Sequence, residues 1–220
     1  MRKMTTLLAT GLLSTSLLAA TSAYADDELM YNVTITNLTP GQPLAPIMVA
    51  THRRGFEYFE DGGAPSDALA MLAEAGNGQP MAAYLATLPQ VIEATVSTTG
   101  LTFPGHSTTV TIHARRAIDH ISLGAMLGAT NDAFFAIKDA ELPVGRQTVT
   151  YYAPAYDAGS ETNDELSSTV AGLGGEGYSP NDSGEAFVHI HGGVHGVGDL
   201  VPGTHDWRNP VAKIVIQRVK

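Results

Sequence analysis

Cysteine is absent from the 220-residue chain. That excludes a disulfide framework, a thiolate metal site and a thiol nucleophile, so stability must come from core burial, with or without a metal ion. Basic side chains are also scarce: 12 Lys and Arg against 22 Asp and Glu give a formal charge of −10. A chain of that sign is expected not to bind nucleic acid and, taken as a whole, to repel anionic surfaces while attracting divalent cations. Tryptophan occurs once, at Trp207. There is no internal repeat, charge block or Pro/Ser-rich linker to divide the chain.

What is present begins with Arg2 and Lys3, a short apolar stretch diluted by Thr and Ser, and Ala23-Tyr24-Ala25. This pattern describes a secretory signal peptide over residues 1–25, cleaved after Ala25, and it predicts an exported protein, periplasmic or secreted. Cleavage would remove two basic residues and no acid, leaving 10 against 22. No transmembrane segment is expected after cleavage, because no later run reaches the roughly 20 apolar residues that span a bilayer. Residues 26–220 are expected to form one domain.

Leu29, Tyr31, Val33 and Ile35 alternate with Met30, Asn32, Thr34 and Thr36, the signature of a half-buried strand. Further strands are expected at 47–50, 91–98, 108–114, 120–124, 147–152, 186–191 and 211–219. Eight strands separated by turns predict an all-β fold, an antiparallel eight-stranded β-sandwich. Two short helices interrupt it, over 65–75 and 80–88. Ser66 is placed to cap the first and Gly76 to stop it, and Pro80 opens the second; both are expected at one end of the sandwich. Residues 172–184, rich in glycine, read as a loop.

The segment Tyr156-Asp157-Ala158-Gly159-Ser160-Glu161 sets two acids four apart around a glycine that permits a sharp turn. Carboxylates crowded in a loop repel unless a cation lies between them, and calcium takes six to eight oxygens. Asp132, after Asn131, is the third candidate. No EF-hand pattern is present, so such a site would be assembled from separate loops.

Taken together, LGAMLGATNDAFFAIKDAEL, YDAGSETN, VHIHGGVHG and DWRNPVAKIVIQRV resemble the spondin amino-terminal domain in a bacterial exported form, across nearly all of residues 26–220. The resemblance implies an eight-stranded antiparallel sandwich with a calcium ion at its loop end, held by Asp132, Asp157 and Glu161. Two departures accompany it: a glutamate where the family has the last aspartate, and Ala133 where it has tryptophan. The expected function is a calcium-binding, binding or adhesion module for an extracellular or cell-surface ligand, not an enzyme.

His189 and His191 share a strand face, and His195 follows a glycine turn. Imidazoles so placed suit zinc or copper, which makes a periplasmic copper- or zinc-binding protein the alternative; His52 and His106 are further candidate partners. Neither H-E-x-x-H nor G-x-S-x-G occurs, and GLGGEG lacks the flanks of a dinucleotide fingerprint. Trp207 is expected to pack rather than to bind a ligand.

Overall fold

The computed structural model describes residues 28–182 and 184–220, so the signal-peptide reading of residues 1–25 lies outside the described residues. The chain forms two antiparallel sheets with a few short helices, an all-β architecture. The first sheet has the order β4 (Ser107–Ala114), β1 (Leu29–Asn37), β10 (Ala212–Arg218), β7 (Thr148–Ala153). The second runs β3 (Val91–Val96), β2 (Met48–His52), β5 (His120–Met126), β6 (Ala133–Glu141), β8 (Ala155–Asp157), β9 (His189–Ile190).

Alternation directs the four-stranded sheet. Leu29, Tyr31, Val33 and Ile35 are buried and the residues between them only partly so, as the sequence predicts for β1. Ile112 of β4 and Ala212, Ile214 and Ile216 of β10 join the same face. They meet Val49, Ile121, Leu123 and Phe135 of the second sheet in one core that also takes in Trp207. Burying an aliphatic or aromatic side chain of this size stabilises by about 1.5–3 kcal/mol.

The six-stranded sheet differs because its middle is apolar on both faces: all five residues of β2 and all seven of β5 are buried. Strands of that kind need cover on either side. The cover is supplied by α1 (Asp67–Ala75) and α2 (Gln79–Ala86), whose Leu69, Leu72, Met81 and Leu85 pack with Tyr58 and Phe59 against Met48, Ala50 and Phe134. The helices therefore lie on the outer face of this sheet and not at one end of a sandwich, which corrects the sequence expectation. Their boundaries follow local signals. Ser66 Oγ accepts from Leu69 N–H at 3.2 Å, and Gly76 closes α1 with φ 62°.

Ten strands are present among the described residues, against eight expected. The strand expected at 186–191 shrinks to β9, since Ala186 takes φ 64° and leaves the extended region. β6 and β8 are the additions. The first five residues of β6 are all buried, so it shows no period-2 alternation, and β8 is three residues long after Pro154. Residues 174–182 form loop structure after a single 3-10 turn at Ala171–Leu173, and α3 is one turn, Pro202–His205.

Candidate metal centre

β6 begins and β8 ends at the same end of the six-stranded sheet, where Ala133 pairs with Asp157. That register fixes Asp132, one residue before β6, beside the loop that leaves β8. Ala158 N–H donates to the Asp132 carbonyl at 3.2 Å. The Asp132 carboxylate continues the contact: Oδ2 accepts from Ser160 N–H at 2.8 Å and Glu161 N–H at 3.1 Å. Gly159 makes the turn with φ 65° and lies against the Phe187 backbone, so the sharp bend read from the sequence is present.

The three acids are brought together at the level of the backbone, and all three are buried. Their carboxyl groups then diverge. Asp157 Oδ1 accepts from Gly159 N–H and Oδ2 from Asn163 Nδ2, each at 2.8 Å. Glu161 Oε1 accepts from Asn131 Nδ2 at 3.3 Å. Two carboxylate oxygens, Asp132 Oδ1 and Glu161 Oε2, are buried with no hydrogen-bond partner. No lysine or arginine forms an ion pair with any of the three among the described residues. The consequence is electrostatic. Burial, with the neighbouring charge of Asp157, holds the Asp132 carboxyl well above its ordinary range despite the two backbone donors. Burial pushes Glu161 up to about 8, against the Asn131 bond and with Glu74, Asp164 and Asp182 adding to it. Asp164 itself serves the loop, accepting from Thr169 Oγ1 at 2.7 Å and Leu166 N–H at 3.0 Å.

The histidines reach the same end of the sheet from β9, which pairs Asp157 with His189. His189 Nε2 lies 3.8 Å from Asp157 Oδ1 and 3.9 Å from Glu185 Oε2. Asp157, Glu185 and His189 each offer a ligand atom within 4.8 Å of the others. These separations are too long for hydrogen bonds and a little wider than the edge of about 3.4 Å expected around a tetrahedral metal with bonds near 2.1 Å. Glu185 is a residue that sequence reasoning missed. The signal was present in its spacing, four residues before His189, but only the pairing of β8 with β9 brings Asp157 to both.

Hydrogen bonds assign the two imidazoles different tautomers. His189 Nδ1 lies 3.0 Å from the Ile190 carbonyl, which can only accept, so Nδ1 carries a proton, and in the neutral ring Nε2 presents a lone pair toward Asp157 and Glu185. His191 Nδ1 instead accepts from Gly193 N–H at 2.9 Å, which places the proton of the neutral ring on Nε2. Burial lowers the His191 pKa and keeps the ring neutral. Its Nε2 has no hydrogen-bond partner and lies 3.7 Å from Asp157 Oδ2.

His195 is exposed and outside this group; its backbone N–H donates to Glu165 Oε1 at 2.6 Å. Glu165 Oε2 accepts from Gly196 and Val197, which makes this carboxylate the organiser of the glycine loop after β9. His52 belongs elsewhere, buried at the opposite end of the sheet with Nε2 2.8 Å from Ser122 Oγ. Trp207 is buried against the His191 ring, 5.0 Å between centroids, so it packs as expected. No family model matches the chain, and no curated protein matches it.

Proposed function

We propose that this protein is an exported binding or adhesion module, not an enzyme, whose loops at one end of the six-stranded sheet are tied by a calcium ion held by Asp132, Asp157 and Glu161. The observation that carries the reading is the pair of buried, unpartnered carboxylate oxygens, Asp132 Oδ1 and Glu161 Oε2, with no lysine or arginine among the described residues paired to either acid. A buried charge without a partner is costly, and a hard divalent cation taking oxygen ligands removes that cost. The resemblance to the spondin amino-terminal domain selects the same three acids. Its eight-stranded sandwich would correspond to the eight strands of five residues or more, with β8 and β9 as short additions. The partner would be an extracellular or cell-surface ligand.

A second reading has its own support. Asp157, Glu185 and His189 form a mixed carboxylate–imidazole set, and the lone pair on His189 Nε2 suits zinc or copper better than calcium. Asp157 belongs to both sets, so the two ions would compete. Metal analysis of protein purified without chelator separates them. One equivalent of calcium, lost in Asp132→Asn and kept in His189→Ala, is the expected result; one equivalent of zinc or copper with the reverse pattern would replace the first reading by the second. Saturating calcium, at about 100 times its dissociation constant, adds about 2.7 kcal/mol to stability. Chelation should therefore lower the melting temperature by roughly 5–10 °C. An unchanged melting curve in excess chelator, with no metal in the purified protein, refutes both readings.

A further inference from the structure

The net negative charge conceals a segregation. Among residues 28–220 there are seven arginines, and six of them sit at the end of the molecule opposite the candidate metal centre. Arg53 and Arg54 follow β2, and Arg115 and Arg116 follow β4. The two Arg-Arg pairs, 62 positions apart, line one cleft of about 380 Å³ together with Pro89, Val91, Ile92 and Ile118. Arg146 stands in the turn from β6 to β7, and Arg218 ends β10, opposite Tyr31 at the start of β1. Pairing of His120 with Glu141 places the 115–119 and 142–147 turns at the same end.

Among the described residues none of these six guanidinium groups forms an ion pair. The acids nearby are mostly engaged otherwise. Asp119 turns inward and accepts the backbone N–H groups of Arg115 and Arg116, Glu93 is bound by His113, and Asp139 lies 2.9 Å from His120. Among the described residues Glu28 and Glu141 remain exposed, two against six. At physiological salt the Debye length is about 8 Å, so a surface approaching this end meets the arginines and not the distant acids.

The same end exposes aliphatic side chains. Ile118 is 71% exposed, Val144 64% and Val219 48%. Arginine concentrated beside exposed aliphatic loop tips has the chemistry of an interfacial lipid contact. We infer that this end docks on an anionic phospholipid surface, the four-arginine cleft taking phosphate headgroups while Ile118, Val144 and Val219 enter the interface. Overall charge had indicated repulsion from anionic surfaces; the tertiary structure reverses that for one end. The inference does not rest on the cation reading.

Cosedimentation with vesicles tests it. The protein should pellet with phosphatidylcholine vesicles containing phosphatidylglycerol, stay in solution with phosphatidylcholine alone, and be released by high salt. Each arginine near such a surface contributes about fivefold in affinity, so Arg53→Gln with Arg54→Gln should weaken binding about 25-fold. Adding Arg115→Gln and Arg116→Gln should weaken it to several hundredfold. Arg208→Gln, an exposed arginine at the other end, should leave binding unchanged, and circular dichroism should show all variants folded. Equal binding to neutral vesicles, no binding to either, insensitivity to the four substitutions, an equal loss in Arg208→Gln, or binding of inorganic phosphate or DNA without vesicle binding would overturn it.

Discussion

Replacing Glu161 by glutamine removes an ionisable group from a place where its charge has no compensation, and the effect should change sign with the metal. In the metal-free protein the Glu161 carboxyl stands at about 8, against 4.5 for the ordinary group. The folded chain therefore binds more protons than the unfolded chain between those values. Stability contributed by the protonated form is complete below pH 4.5 and is lost as pH rises through 8. At 1.36 kcal/mol per unit, the shift of about 3.5 units makes Glu161 cost about 3 kcal/mol at pH 7, an upper figure because water entering the loop screens part of it. An uncharged amide at this position carries no such cost. Urea unfolding in chelator should show the Glu161→Gln variant more stable than the parent at pH 8 by about 2–3 kcal/mol, and the two nearly equal at pH 4.5. Calcium titration should show the opposite order, with the variant binding roughly tenfold or more weakly, since one carboxylate ligand is gone. A metal-free variant whose stability follows pH just as the parent does would refute the argument that Glu161 ionises unpaired.

Two further substitutions probe the supports of the site. Gly159→Ala should cost about 2–4 kcal/mol in thermal or urea unfolding, because alanine strains at φ 65° and its Cβ would meet the Phe187 backbone nitrogen at 2.8 Å; a loss below about 1 kcal/mol would mean the loop rearranges freely. Phe134→Ala empties the layer between α1 and the six-stranded sheet, where its ring lies 5.1 Å from Phe59 and 5.6 Å from Tyr156, and should cost about 3–5 kcal/mol. Retention of full stability would show that the helices do not depend on that face.

The candidate site divides between what was legible locally and what was not. Asp157 and Glu161 were found from acid crowding around Gly159 and Asp132 as a third candidate in a separate upstream loop, and the structure seats them on adjoining backbone. It also turns the Glu161 carboxyl toward Asn131 and sets Glu185 and His189 against Asp157, which no local pattern shows. Composition counted the arginines correctly but could not place them.

The sequence by itself determined the elements whose signals are short in range: the alternation of β1, the cap and stop of α1, the turn at Gly159 and the half-buried strands of the smaller sheet. Tertiary structure decided the rest. The first five residues of β6 alternate nothing because both faces are buried there, and the helices had to cover a face that only the assembled sheet possesses. The meeting of Asp157 with His189, and of two distant arginine pairs across one cleft, depends on strand register. Register is settled by burial and pairing between segments far apart in the chain, and a local pattern carries no record of its distant neighbours.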